Sequence, residues 1–248
     1  MPFLYRTLIG IKKGFTKQEL CGIIKKKLLE VYMLERMSDF FEARLNGYDE
    51  HMLSNIESAR EFYPFTAGLL PRNYKAEVLD LGCGTGLELE EYFKLNPTAE
   101  VTGIDLSSAM LDALKKKMPS YALKLICDSY FDVPLGEGVF DAAVSVESLH
   151  HFTKDEKIPL YKSLCASLKK DGYFILTDYF ALSDEEERMH METLRNLKKA
   201  QGITDNEFYH YDTPLTVKHE TEALIEAGFS NVTVLASWGA TYTVKATK

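Results

Sequence analysis

The stretch V-L-D-L-G-C-G-T-G-L-E-L-E-E-Y-F, residues 78–93, decides how the rest of the chain is read. A short apolar run, a turn carrying Gly82, Gly84 and Gly86, and an amphipathic segment follow one another, which reads as strand, tight turn and helix. Glycines without a Cβ let the backbone turn sharply and approach a ligand closely. The helix beyond them presents unpaired N–H groups and the positive end of its dipole. The turn therefore suits an anionic group, a phosphate or a carboxylate alike.

Outward from this turn, apolar runs alternate with amphipathic segments. Strands are expected at Glu77–Leu81, Val101–Asp105, Leu123–Cys127, Phe140–Val146 and Gly172–Asp178, with helices at about Gly86–Leu95, Ser107–Met118 and Lys154–Leu168. Such alternation implies right-handed crossovers and a mainly parallel α/β sheet with helices on both faces. The run AAVSV is apolar on both sides, as a strand covered on both faces should be. Downstream, an acidic helix is expected at about Asp184–Gln201. A polar and aromatic stretch, NEFYHYDTP, follows, then a helix at Val217–Ala227 ended by Gly228. Two closing strands, Asn231–Ala236 and Thr241–Ala246, are joined by a turn at Trp238-Gly239. Upstream, apolar positions recur at helical spacing from Leu20 to Leu34, and further helices are expected from Met37 to Leu45 and from Asp49 to Tyr63, with Pro64 and Pro71 marking their end. The expected division is a helical extension and cap over residues 1–70 and a Rossmann-like domain over 71–248, with a helical insertion at about 181–215.

Three carboxylates stand at predicted strand ends: Asp80, Asp105 and Asp128. Ligands bind at that edge of open α/β sheets, and Asp105 can accept both hydroxyls of a ribose. A glycine turn alone is shared with dinucleotide enzymes, but here the spacing is G-x-G-x-G, and Asp80 would crowd a pyrophosphate with like charge. A zwitterionic aminoacyl ligand fits better, its amine toward Asp80 and its carboxylate toward the helix end. The motif D-L-G-C-G-T-G with Asp105 and Asp128 closely resembles the class I S-adenosylmethionine-dependent methyltransferases over about residues 76–180, and the closing strand pair extends the likeness. The resemblance implies a seven-stranded, mostly parallel sheet with an antiparallel last strand. It also implies S-adenosylmethionine as cofactor: Asp80, Gly82, Cys83, Gly84 and Gly86 around the methionine part, Asp105 at the ribose, Asp128 and Ser129 at the adenine, Val146 and Glu147 lining the methyl-donor pocket, and Leu106 and Met110 as further cofactor-binding residues.

Methyl transfer from a sulfonium is an in-line displacement in which holding the nucleophile close and aligned supplies much of the acceleration. A base is needed only if the acceptor must lose a proton. His151 and His150, just after the fourth strand, are the candidates for that role. Tyr48, in a Y-D pair of an N-terminal helix, is the candidate for contact with the methionine end or the acceptor. The stretch EFYHYDTP, with Trp238 and Tyr242, offers aromatics for an acceptor pocket, against the simpler reading of rings packed on the core. His210, Asp212, His219 and Glu220 have metal-ligand chemistry, but no spacing matches a known site and no metal is expected.

A net charge of −8 argues against a nucleic-acid partner, although residues 1–30 carry +5 and the remainder about −13. The basic start is expected to pack its apolar stripe onto the domain or a partner rather than lie on a membrane. Cys21, Cys83, Cys127 and Cys165 form no C-x-x-C pair, which fits a reducing compartment. No secretory signal and no run long enough to span a bilayer is visible, so a cytoplasmic protein is expected. The leading expectation is methyl transfer to a small-molecule acceptor. An RNA or protein acceptor, a non-catalytic cofactor-binding module and a homodimer all stay open, while an NAD-dependent oxidoreductase is disfavoured by the glycine spacing and Asp80.

Overall fold

Alternate residues of Glu77–Leu81 face opposite ways, and both sides are apolar, so this strand must be covered on both faces. The computed structural model, which describes residues 33–205 and 207–248, meets that demand with one seven-stranded sheet. Its strands are β1 (Glu77–Leu81), β2 (Glu100–Asp105), β3 (Ala122–Cys127), β4 (Phe140–Val146), β5 (Leu168–Tyr179), β6 (Asn231–Trp238) and β7 (Thr241–Thr247). The order is β3-β2-β1-β4-β5-β7-β6. β1 to β5 pair in parallel, and β7 runs antiparallel between β5 and β6. The strand order reverses between β1 and β4, which is where an α/β sheet opens a crevice at its carboxyl edge. The predicted amphipathic run from Leu20 to Val31, the basic segment and Cys21 lie outside the described residues.

The helices are α1 (Met37–Arg44), α2 (Tyr48–Asn55), α3 (Ala59–Gly68), α4 (Leu87–Leu95), α5 (Ser108–Lys117), α6 (Lys154–Ser167), α7 (Asp184–Ala200) and α8 (Val217–Glu226). On one face Leu79, Leu81 and Phe174 pack with Leu160 and Leu164 of α6 and Leu224 of α8. On the other, Val78, Val144 and Ile175 pack with Phe62 of α3, Leu89 of α4 and Leu114 of α5. The helices α3 to α6 and α8 lay apolar faces on the sheet, and four helix starts are fixed by chemistry in the sequence. Ser107, Thr153, Ser183 and Thr216 each accept a backbone N–H at a helix N-terminus, and Thr153 with Glu156 forms a full capping box.

Three local expectations are corrected. The helix expected over Asp49–Tyr63 is two helices, because Ile56 is extended and Ser58 takes a left-handed φ of 60°. Pro64 lies inside α3 rather than ending it; its ring forfeits the bond to the carbonyl of Arg60, an exposed position where water can substitute. Trp238 belongs to β6, paired with Thr241, and the turn is Gly239-Ala240, where Gly239 supplies the positive φ a two-residue hairpin requires. Trp238 then donates to Glu61 and packs on Phe65, and Tyr242 packs on Phe180.

One ion pair is fully enclosed: Lys157 Nζ of α6 lies 2.6 Å from Glu220 Oε2 of α8, and Tyr161 donates to the other oxygen. Removing one partner strands a buried charge, whereas replacing both restores an apolar contact. Lys157→Met should lower the stability by about 3 kcal/mol, and Lys157→Met with Glu220→Leu should recover most of it, as read from urea unfolding midpoints.

Candidate active site

The glycine turn is tied to the neighbouring strand by its own backbone. Gly82 and Cys83 both donate to the carbonyl of Ile104, and Gly84 N–H donates to Asp105 Oδ2 at 2.9 Å. A Cβ on Gly82 would stand 2.1 Å from Ser148 Oγ, so no side chain fits there. At Gly84, where φ is +46°, an added Cβ would meet no atom within 4 Å, so that backbone borders open space.

That space is a cleft lined by Gly82, Gly84, Asp105, Leu106, Met110, Val146, Glu147 and His151, all singled out in the sequence, and by Tyr48 from the cap. Four further lining residues were missed: Met37, Phe41, Tyr130 and Ser148. Tyr130 and Ser148 follow strand ends and were within reach of the strand-tip argument. Met37 and Phe41 arrive through tertiary packing of α1, which no local signal announces.

Apart from His150, described below, the predicted residues that do not line the cleft divide into two groups. Asp80, Cys83 and Gly86 lie behind the turn. Asp128 and Ser129 stand at the end of β3, where the exposed Asp128 accepts the Ser129 N–H. Asp80 faces α4, fully buried, beside Glu88 of its first turn. Burial and the Glu88 charge push Asp80 well above the usual carboxylate range. Glu88 is raised by burial as well, opposed by its hydrogen bond with Asp80. With one proton between them the pair bonds to itself. With both ionised, neither Asp80 oxygen nor Glu88 Oε1 has a partner. Asp105 is raised by burial, although the N–H groups of Ser107 and Gly84 counter that. Each Asp105 oxygen keeps a free lone pair for a hydroxyl.

The cap closes on this turn through Asp49 of α2, whose two oxygens accept from Thr85 Oγ1 and from Lys117 Nζ at 2.6 Å. Tyr48 is thereby held over the cleft. Burial, reinforced by Asp105, raises its phenol so that it stays protonated. His51 turns outward to Asn55.

Beyond Glu147 lies a polar cluster the sequence did not reveal as one. Residues Leu149–His151 form a short 3-10 turn after β4. Asp178 of β5 organises it: its Oδ2 accepts the N–H groups of Leu149 and His150, and its Oδ1 accepts His150 Nδ1 at 2.5 Å. The far side comes from EFYHYDTP. Met37 donates to the Phe208 carbonyl, His210 to that of Glu35 and Thr213 to that of His150. This places Asp212 Oδ1 3.4 Å from His151 Nδ1 and 3.7 Å from His150 Nε2. His210 stacks on Phe40 with ring centroids 3.4 Å apart. Burial alone would lower His150, but Asp178, with Asp212 and Glu147, pushes it up to about 9. His151 is lowered by burial and by the neighbouring His150. His210 falls to about 3 through burial and His151. Asp212 resists its own burial and is held low by the facing imidazoles. Glu147, at a left-handed φ of 49°, is raised to about 8 by burial and Asp178. His219 and Glu220 do not join the cluster: the first pairs with Glu187, the second with Lys157.

Residues that fit an aminoacyl nucleoside are thus present: an unpartnered buried carboxyl pair, an open backbone at Gly84 and a carboxylate with spare acceptors. The comparisons agree. Residues 78–172 match the methyltransferase-domain family. A carboxy-S-adenosyl-L-methionine synthase of Campylobacter fetus is 23% identical over 83% of this chain and 92% of its own length. An 18S rRNA (guanine-N(7))-methyltransferase of Schizosaccharomyces pombe is 26% identical over 51% of this chain and 49% of its own. In fold, a putative O-methyltransferase of Nostoc punctiforme superposes with a TM-score of 0.64 at 20% identity, covering 88% of this chain and 63% of that one.

A carboxyl whose pKa is raised by folding holds its proton longer in the folded state, so its contribution is greatest below the unfolded pKa and is lost as pH rises through the folded one. The ligand-free protein should therefore lose stability as pH climbs above the ordinary carboxylate range. Asp80→Asn should raise its melting temperature at neutral pH and flatten that dependence, checked by thermal unfolding across a pH series.

Proposed function

The chain is a class I S-adenosylmethionine-dependent methyltransferase, and on that premise we propose that it transfers the methyl group to a small-molecule acceptor entering between the cap and the cluster of His150, His151 and Asp212. The observation that carries this reading is the seating of α1 and α2 on the glycine turn. Met37, Phe41 and Tyr48 wall the cleft, with Tyr48 held down through Asp49. Among the described residues no Lys or Arg lines the cleft. A polynucleotide needs open access and cationic contacts, and the described lining offers neither. In this reading residues 1–70 serve as extension and cap, residues 71–248 as the transfer domain and 181–215 as the insertion that completes the acceptor side.

The cofactor supplies an electrophilic methyl on a sulfonium. Asp105 holds the ribose hydroxyls, the Gly82–Gly86 backbone holds the amino-acid end with Asp80 supplying negative charge from behind the turn, and Asp128 with Ser129 meet the adenine at the end of β3. Val146 and Glu147 border the methyl, and Tyr48 closes over it. His151 and Asp212 orient the acceptor's heteroatom for in-line attack, with His150 fixed behind them by Asp178. Cys83, Cys127 and Cys165 are free thiols, which accords with the cytoplasm. Among the described residues no helix is long and apolar enough to cross a membrane.

A second reading, formation of a carboxylated S-adenosylmethionine, is favoured by the span of similarity to the Campylobacter fetus synthase. It is opposed by the lining, which among the described residues offers no Lys or Arg for a carboxylate. Mass spectrometry of the nucleoside product separates the two: S-adenosylhomocysteine supports methyl transfer, and a product heavier than the donor by a carboxylate supports the second.

Asp105→Ala should weaken S-adenosylhomocysteine binding at least tenfold in calorimetry, about 1.4 kcal/mol. His151→Asn should lower turnover more than tenfold while S-adenosylhomocysteine affinity stays within about threefold, since that side chain is assigned to the acceptor and not to the cofactor. Binding of RNA that weakens steeply with salt would replace the small-molecule reading.

A further inference from the structure

We infer that His150, His151 and Asp212 bind a divalent transition-metal ion beside the acceptor chamber. One ring nitrogen of His150, one of His151 and a carboxylate oxygen of Asp212 all lie within 4.8 Å of one another. His150 Nε2 and His151 Nδ1 stand 3.7 and 3.4 Å from Asp212 Oδ1. Donors about 2.0–2.2 Å from one tetrahedral zinc stand about 3.3–3.6 Å apart; the 3.4 Å separation lies at that spacing and the 3.7 Å one just beyond it. The His151 Nδ1–Asp212 Oδ1 contact is also a long hydrogen bond, and Nδ1 lies 3.3 Å from the Tyr211 carbonyl, so a metal would take the place of the proton shared there.

A second observation is independent of these distances. Metal-bound imidazoles characteristically donate their other ring N–H to a carboxylate or carbonyl, which fixes the ring. His150 does so: Nδ1 donates to Asp178 Oδ1, leaving Nε2 directed at Asp212. Asp178 itself is excluded as a ligand. Both its oxygens are committed, Oδ2 to the N–H groups of Leu149 and His150 and Oδ1 to His150 and the Tyr179 N–H. It is a positioning residue. The surrounding scaffold is rigid, since the Thr213 N–H donates to the His150 carbonyl and so pins the segment bearing Asp212 to the turn bearing the histidines.

Two imidazoles and one carboxylate select zinc-like ions over magnesium or calcium, which favour all-oxygen sites. Three protein ligands leave a fourth position free, as in catalytic rather than structural sites. His151 lines the cleft and the Asp212 side chain is 43% exposed, so that position faces the space assigned to the acceptor. An acceptor bearing an oxygen or nitrogen donor is the class of ligand that would complete it. This last step rests on the proposed methyl-transfer reading; the metal site does not. The pattern was invisible along the chain because the ligands come from two distant segments that meet only when the stretch after α7 folds back on the β4 turn.

The test is zinc titration of the full chain after chelation and dialysis, followed by calorimetry, with cobalt as a spectroscopic substitute. One zinc per chain is expected with a dissociation constant below about 1 μM, together with the intense visible bands of four-coordinate cobalt. Asp212→Asn and His150→Asn should each weaken zinc at least tenfold, Asp178→Asn about tenfold through the ring it orients, and His219→Asn not at all. Absence of saturable binding, or binding equal in Asp212→Asn and His150→Asn, overturns the site. If either variant is unfolded by circular dichroism, the cobalt spectrum of the unaltered chain decides: a weak six-coordinate spectrum overturns it. S-adenosylhomocysteine binding measured on the same chelated protein keeps the two readings apart, since it survives if only the metal site fails.

Discussion

The whole site depends on a backbone turn that leaves no room for side chains. Gly82 must lie against Ser148, and Gly84 must take a left-handed φ so that its N–H can reach Asp105. These bonds join the ends of β1 and β2 into one rim, and the crevice between β1 and β4 opens beside it. A β-carbon at Gly82 would push Ser148, and with it the turn that carries His150 and His151. The cofactor side and the acceptor side are therefore coupled through a contact of atomic dimensions rather than through a long relay.

The cap extends this constraint to the mouth of the cleft. Asp49 accepts from both Thr85 and Lys117, so one carboxylate bonds the glycine loop and α5 to α2. The insertion closes the opposite side by strand-like pairing of residues near 36 and 209 and of 181 with 216. Backbone bonds of this kind specify position without specifying side chains. That leaves His210, Tyr211 and Asp212 free to differ in role: His210 stacks on Phe40, Tyr211 enters a small core with Leu34 and Leu197, and Asp212 faces the histidines.

What was legible in the sequence follows from which forces are local. Strand ends at Leu81, Asp105, Cys127 and Val146 fell where they were expected, because burial on both faces and the turn chemistry after them act over a few residues. The glycine turn and Asp105 were legible for the same reason. The His150–Asp178–Asp212 arrangement was not, since each member sits on a different element and only the sheet order brings β5 beside β4. Pro64 inside α3 and the break at Ser58 were misread because packing of Phe62, Tyr63 and Thr66 against the sheet outweighs local preference. Cap residues such as Phe41 carry no pattern distinguishing a cleft wall from a core residue.

Charge balance explains what kind of ligand this architecture admits. Asp105 and Glu147 in the cleft, and Asp80 with Glu88 behind its glycine turn, are all pushed upward chiefly by burial, so ionisation is unfavourable around the cleft. A ligand bearing an ammonium and a sulfonium provides the missing positive charge at that end, and its binding lets those groups ionise where water cannot. At the other end Asp178 and Asp212 face the rings of His150 and His151. An anionic acceptor would add charge to a site already short of cations, whereas a neutral or cationic one would not. The selectivity thus begins with the number of buried carboxylates, before any shape complementarity is considered.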